Sequence, residues 1–264
     1  MNSLSISAFQ LNLFWHDAIA NQAHIEQIVQ AHQPKGSLWI LPEMFTTGFS
    51  MEPAGFAERT DGATAAWMKQ IATDYDAHLM GSLIVEEDAN YCNRAILVSK
   101  NGLEGFYDKR HGFSLTKEDE IYRSGTEKVI FQIDGWKLCP QICYDLRFPV
   151  FSRNRVDEQG QYDYDLAVYM ANWPHARVHH WEALLQARAI ENQCYVVGVN
   201  RVGEDANGFY YSGSSMVVDP MGKIIAKASG GEAVLEAELS AEFLQQTRQK
   251  YPFWRDADHY TLVP

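Results

Sequence analysis

Three short stretches of the chain hold side chains able to act together on a carbonyl carbon. Cys143 ends an apolar run in PQICYDLRFP, where a polar and aromatic turn follows it. Glu43 comes after an apolar run and a proline in LWILPEMF, and Lys109 closes another strand-like run in GFYDKRHGF. A cysteine offers a nucleophile, and a carboxylate set among apolar and aromatic neighbours offers a general base. An ammonium can hold a developing oxyanion or keep a thiolate ionised. The backbone N–H groups of the turn after Cys143 suit the same oxyanion. Each residue taken singly has an ordinary alternative: a buried thiol at a strand end, a loop glutamate, a solvated lysine. What joins them is a common address, the C-terminal end of a predicted strand, where α/β sheets gather their sites.

The elements that must position them follow from periodicity and turn chemistry. Residues 4–13 alternate as a first strand, and residues 16–32 place Ile19, Ala23, Ile25, Ile28 and Val29 on a helical period. Residues 37–41 form a short, wholly apolar strand of the kind buried on both faces. A second helix is expected over residues 64–76, after the turn-and-cap stretch RTDGAT. Strands are expected over 78–86, 91–100 and 103–108, with Asn101-Gly102 as a hairpin turn. A further hairpin, 128–133 and 136–142 around Asp134-Gly135, leads straight into Cys143. A strand over 165–171, a helix over 178–193, a strand over 194–200 and a hairpin at 219–222 complete the pattern. Helix–strand alternation mixed with hairpins gives an α/β layered domain with a mixed sheet or sheets. With no linker, repeat or low-complexity segment, residues 1–264 read as a single domain.

Composition narrows the function. The chain is 46% hydrophobic and 21% charged, an ordinary globular balance. The formal net charge of −12 argues against nucleic acid or anionic lipid as a main partner. No apolar run of about 18 residues or more is present, and the N-terminal stretch lacks a basic, apolar leader pattern. The four cysteines, Cys92, Cys139, Cys143 and Cys194, therefore read as reduced thiols of a cytoplasmic protein. The spacing of Cys139 and Cys143, without a second pair, is a poor zinc pattern. No metal is expected.

The order and spacing of LPEMFTTGF, YDKRH and CYDLRFP resemble those of the nitrilase (carbon–nitrogen hydrolase) superfamily. The resemblance runs over essentially the whole chain. It extends to ANWP and to LLQARAIENQCYVVGVNRVG, and KRH, CYDLRFP, ANWP and NRVG are similar to the bacterial ω-amidase-like branch. It implies a four-layer α-β-β-α sandwich with two mixed sheets, assembled as a homodimer through continuous sheets, with no metal or organic cofactor. It also implies Glu43 as base, Lys109 and the Tyr144 N–H as oxyanion donors, and Cys143 as nucleophile forming an acyl-thioester that water hydrolyses. A second family glutamate, counted back from Gly125, falls on Glu118, with Glu120 two residues away as the alternative.

The branch implies a small-molecule amide substrate, the ω-amide of a 2-oxo acid such as 2-oxoglutaramate or 2-oxosuccinamate. Its carboxylate calls for a planar cationic fork. Arg147 and Arg177 are candidates, although Arg147 could equally pair with neighbouring Asp145. Phe45, Tyr144 and Trp173 are candidate apolar walls, or else core packing. Among the nine histidines, His111 is the best placed for a Cys–His alternative, whereas adjacent His179 and His180 read as exposed polar surface. Deaminated-glutathione amidase and N-carbamoyl amino acid hydrolase are the rival activities within the family. A catalytically silent binding module is the alternative from another class.

Overall fold

The computed structural model describes residues 2–258 and 260–262. Five strands appear before the Cys143 half of the chain: β1 (Leu4–Gln10), β2 (Leu38–Ile40), β3 (His78–Glu87), β4 (Asn90–Ser99) and β5 (Gly102–Asp108). Two helices interrupt them, α1 (Ala18–His32) and α2 (Ala63–Tyr75), and a four-residue turn of helix, α3 (Glu118–Ile121), follows them. The second half contains β6 (Phe131–Ile133), β7 (Trp136–Ile142), the short α4 (Pro149–Ser152), β8 (Leu166–Ala171), α5 (Val178–Asn192) and β9 (Tyr195–Asn200). A small ribbon follows, β10 (Val202–Glu204) with β11 (Tyr210–Ser212). The chain closes with β12 (Met216–Val218), β13 (Ile224–Lys227), β14 (Ala233–Leu239) and α6 (Ala241–Lys250).

Two six-stranded mixed sheets result, in the orders β14-β1-β2-β3-β4-β5 and β13-β12-β9-β8-β7-β6. Each has a parallel centre, β1-β2-β3 and β7-β8-β9, flanked by antiparallel strands. Strand alternation explains the layering. Leu4, Ile6 and Ala8, with Leu38 and Ile40, meet Leu138, Leu166, Val168 and Val197 of the other sheet. The opposite faces turn outward: Phe9 and Trp39 pack on Ile25 and Val29 of α1 and Met68 of α2, while Ala167 and Tyr169 pack on Trp181 and Leu185 of α5. This is the α-β-β-α sandwich with two mixed sheets that the resemblance implied.

Local chemistry accounts for most boundaries. Helix α1 begins two residues later than its periodicity suggests because Asp17 caps it, its Oδ1 accepting the Ala20 N–H at 2.9 Å. The Asp134-Gly135 turn has positive φ at both central residues, 50° and 82°, as a type I′ hairpin demands. At the preceding hairpin the expected turn is displaced by one residue. Ser99 pairs with Gly102, so Lys100 and Asn101 form the loop, and Gly102 supplies the positive φ of 114° just beyond it. Strand β1 stops at Gln10 rather than residue 13, and β6 shortens to three residues. Strands β10, β11 and β14 and helix α6 were not expected. In AVLEAEL, Glu236 and Glu238 dilute the apolar pattern, and β14 becomes a strand by pairing with β1 from the far end of the chain.

All four cysteines are free thiols. Among the described residues no helix is long and apolar enough to cross a membrane, and no group of three or more His, Cys, Asp or Glu is placed to hold a metal ion. Burial makes the interior costly to ionise. It pushes the Cys139 thiol from an ordinary 9.0 up to about 12 and raises Cys194, Tyr164 and Tyr169 as well. The folded chain therefore keeps protons that the unfolded chain releases first. The Cys139 contribution is complete below its ordinary 9.0 and is lost as pH climbs towards about 12. We expect the thermal unfolding midpoint to fall steadily between about pH 8 and pH 11; a midpoint flat over that range would contradict these assignments.

Candidate active site

Loops at the strand ends bring the expected residues together in one buried cluster. Glu43 leaves β2 after Leu41-Pro42, and the backbone around it is fixed by the next strand. The Met44 N–H donates to Ser82 Oγ at 2.9 Å and the Phe45 N–H to Ser82 O at 3.1 Å. Lys109 directly follows β5, its N–H bonded to Asn93 O at 2.9 Å. Cys143 opens a turn of 3-10 helix, Cys143–Arg147, at the end of β7. Met44 and Cys143 both have φ of 44°, the left-handed region that non-glycine residues adopt only under constraint. At Cys143 that bend turns the chain sharply out of the strand. Glu118 begins α3.

Lys109 is the centre of the cluster. Its Nζ donates to Glu43 Oε1 at 2.8 Å and to the two oxygens of Glu118 at 2.8 and 2.9 Å. Glu43, Glu118 and Lys109 are 0%, 1% and 3% exposed. Two carboxylates thus share one ammonium away from water. Glu118 also accepts the Phe113 N–H at 2.7 Å. Glu120, the alternative second glutamate, is exposed and among the described residues its carboxylate pairs only with Lys117, at 3.9 Å, so the structure brings Glu118 to the cluster and leaves Glu120 outside it.

Two asparagines that the sequence reading did not single out complete the arrangement. Asn93 of β4 donates through Nδ2 to Glu43 Oε1 at 2.9 Å and to Glu118 Oε1 at 3.2 Å. Asn172, just past β8, donates its main-chain N–H to Glu43 Oε2 at 2.9 Å and its Nδ2 to Glu43 O at 2.7 Å. The signal for Asn93 was present as an isolated amide inside the strand sequence YCNRAILV. A buried polar group there needs partners.

These contacts set the protonation states. Burial works to lower the Lys109 ammonium, but the Glu118 and Glu43 carboxylates overcome it and hold Lys109 above its ordinary range. Burial, reinforced by Glu43, raises Glu118 against the pull of Lys109. Cys143 is raised well above the ordinary thiol range, first by burial and then by Glu43, with Lys109 opposing. Cys143 therefore favours the thiol form, and a thiol needs a base to act as a nucleophile.

Asp145 ties the Lys109 and Cys143 segments to each other. Its oxygens accept the Ile142 N–H at 2.9 Å, the Tyr107 hydroxyl at 2.8 Å, the His111 N–H at 3.0 Å and His111 Nδ1 at 2.7 Å. His111 stacks on Phe148 with centroids 4.0 Å apart. His111 is thus committed to Asp145, which counts against the Cys–His alternative. Asp145 being taken, Arg147 does not pair with it. Instead Arg147 lies over the Trp173 ring at 4.7 Å, with Nη2 donating to His180 Nδ1 at 3.2 Å.

The cluster opens onto a small pocket with Cys143 and Lys109 in its wall. Tyr144, Arg147, Trp173 and Arg177 line it as well. Phe45 does not. It is fully buried on the helix side of the first sheet, its ring seated on Gly81, where a Cβ would come within 2.8 Å. The backbone turn at Met44 sends Glu43 and Phe45 in different directions, and Phe49 provides the aromatic wall instead. Arg177 lies over Phe113 at 5.4 Å. Among the described residues no carboxylate forms an ion pair with either guanidinium, and Arg147 is lowered by burial and by Arg177.

Residues 5–249 match the family model described as carbon-nitrogen hydrolase. The chain belongs to the carbon–nitrogen hydrolase family. An omega-amidase of Yersinia enterocolitica is 44% identical to this hydrolase over 264 residues, covering 100% of both chains. A 2-oxoglutaramate amidase of Bacillus subtilis is 29% identical over 255 residues, 96% of each. A crystal structure of a CN-hydrolase superfamily protein from Xanthomonas campestris, with an arsenic adduct in its active site, superposes on the hydrolase with a TM-score of 0.96 at 40% identity, covering 100% of both chains. Membership makes the chain an enzyme acting on carbon–nitrogen bonds other than peptide bonds. A silent binding module is not the family's description.

Proposed function

We propose that this hydrolase releases ammonia from the ω-amide of a small 2-oxo acid, 2-oxoglutaramate or 2-oxosuccinamate, through an acyl-thioester on Cys143. The observation that carries this reading is the convergence of a half-buried thiol, an acid–base cluster and two guanidiniums that have no carboxylate partner among the described residues on one pocket. Glu43 takes the Cys143 proton as Sγ attacks the amide carbon. Lys109 Nζ and the Tyr144 N–H hold the oxyanion; the first N–H groups of a helical turn have no acceptor within it. Glu43 then passes the proton to nitrogen, the C–N bond breaks and ammonia leaves. Water, deprotonated by Glu43, attacks the thioester, and the carboxylic acid departs as the thiol reforms. Glu118 fixes Lys109 throughout.

Arg147 and Arg177 would receive the substrate's carboxylate. Two positive charges in one pocket also favour a 2-oxo over a 2-amino acid, because the α-ammonium of glutamine would meet like charge. Arg147→Gln is expected to raise KM for 2-oxoglutaramate at least about tenfold with a smaller change in kcat. Arg147→Lys should recover only part of that, since an ammonium lacks the planar fork. The reading itself is tested by ammonia release from 2-oxoglutaramate, glutamine, deaminated glutathione and N-carbamoyl amino acids, with Cys143→Ala as the blank. Preference for deaminated glutathione or an N-carbamoyl amino acid would move the function to that rival, and silence on every amide would end the amidase reading.

A homodimer and a reducing cytoplasm belong to the same proposal. Ile190 of α5 and Met221 and Ile225 of the β12–β13 hairpin are 53%, 50% and 41% exposed and support a self-association surface. A free nucleophilic thiol is preserved best where thiols stay reduced. Light scattering of the purified protein gives the oligomeric mass directly.

A further inference from the structure

We propose that Asn172 is a substrate-contacting residue. Its side-chain carbonyl accepts a hydrogen bond from the –NH2 group of the scissile amide, while its N–H groups hold the base. This rests on the amidase reading of the site and goes further, assigning the acceptor that distinguishes an amide from other acyl groups.

Asn172 joins the two reacting groups of the enzyme. Its main-chain oxygen lies 3.9 Å from Cys143 Sγ, while its main-chain N–H reaches Glu43 Oε2 at 2.9 Å. The orientation of its side-chain amide is fixed by its partners. Nδ2 lies 2.7 Å from Glu43 O and 3.3 Å from Glu43 Oε2, both of which can only accept from it, so Nδ2 is the donor end. Oδ1 is the other end. Asn172 is 3% exposed and lines the pocket beside Cys143, and Oδ1 is buried without a donor among the described residues. A buried carbonyl is seldom left so in a native protein, and one in a site wall awaits a donor from the ligand.

The amide substrate brings that donor. Its nitrogen carries two N–H groups and receives a third proton from Glu43 as it leaves. Glu43 Oε2 lies 2.9 Å from Asn172 N and 3.3 Å from Nδ2, so a nitrogen that takes its proton from Glu43 comes to the residue whose Oδ1 still lacks a donor. The contact strengthens as the nitrogen gains positive character, which makes it a contact to the transition state more than to the resting substrate. An ester or thioester of the same acid passes through the same acyl-enzyme but has no N–H at the leaving atom, and gains nothing from Oδ1.

The test compares 2-oxoglutaramate with the corresponding ω-methyl ester of 2-oxoglutarate on wild type, Asn172→Ala and Asn172→Asp, with thermal unfolding of each as a check on folding. In Asn172→Ala both activities should fall, because Glu43 loses a support, but kcat/KM for the amide should fall about ten- to thirtyfold further than for the ester. Asn172→Asp keeps an acceptor and loses the side-chain donor to Glu43, while the main-chain N–H remains. It should lower both rates while retaining an amide-to-ester ratio within about threefold of wild type. Equal losses on both substrates in Asn172→Ala would reduce Asn172 to a support for Glu43 and overturn the contact, as would an Asn172→Asp ratio as low as that of the alanine variant. Wild-type enzyme that hydrolyses the ester but releases no ammonia from the amide would overturn the amidase reading and the proposal with it. If Asn172→Ala is unfolded, the ratio in Asn172→Asp decides alone.

Discussion

Lys109→Met is expected to lower kcat by about 10²–10³ and to destabilise the fold by about 3–5 kcal/mol. The catalytic loss follows from removing a charged donor aimed at the oxyanion. The stability loss has a separate origin in the same side chain. Lys109 Nζ is the shared cation of Glu43 and Glu118, bonded to each at 2.8 Å, and all three groups are buried. Without it two carboxylates face each other in a medium that solvates neither, and one must take up a proton. Glu118, raised by burial and by Glu43 against the pull of Lys109, loses that opposing charge in the variant. Two measurements separate the effects: single-turnover ammonia release for catalysis, and denaturant unfolding for stability. The double variant Lys109→Met with Glu118→Gln should regain much of the stability, since a neutral amide replaces the stranded carboxylate, yet recover none of the activity. A single variant within tenfold of wild-type kcat would remove Lys109 from the oxyanion.

Glu43→Gln should lower kcat by about 10²–10⁴, the range of a lost general base, and should change the nucleophile in the opposite sense to its activity. Glu43 raises the Cys143 thiol and Lys109 lowers it. Neutralising Glu43 removes a negative charge next to the sulfur, so the thiolate should form at lower pH in the variant than in wild type. Lys109→Met removes the opposing positive charge, so there the thiolate should form at higher pH. Thiolate absorbance followed against pH reads both directions. A variant that ionises more readily and hydrolyses worse would show that the enzyme depends on proton delivery rather than on a standing thiolate. A Glu43→Gln enzyme with unchanged turnover would rule out Glu43 as the base.

The parts of this site readable in the chain are those that need a particular chemical type at a particular place. Cys143, Lys109 and Glu43 each follow a strand whose apolar pattern is local, so strand end and side chain could be read together. Glu118 was harder, because α3 is only a single turn and Glu120 shares its neighbourhood; burial next to Lys109 separates them, and burial there is a tertiary fact. Phe45 was misplaced for a related reason. The left-handed Met44 between it and Glu43 reverses the direction of its ring, and nothing in EMF announces that φ. Arg147 beside Asp145 suggested a local pair, but Asp145 is taken by Tyr107 and His111 from across the site. Strand β14 was invisible because its partner β1 lies at the opposite end of the chain.

That pairing also sets the order of assembly. Ser7 Oγ donates to Glu236 Oε2 across 229 residues of sequence, and β14 covers the edge of β1 through residues 233–239. During synthesis the first sheet therefore waits with one edge bare until almost the whole chain has left the ribosome, an exposure that invites pairing with other nascent chains. Closing so long a loop is slow. Glu43 leaves β2 of that same sheet, so a chain cut short before residue 233 would carry Glu43, Lys109, Glu118 and Cys143 and still lack the strand that closes the sheet beside them.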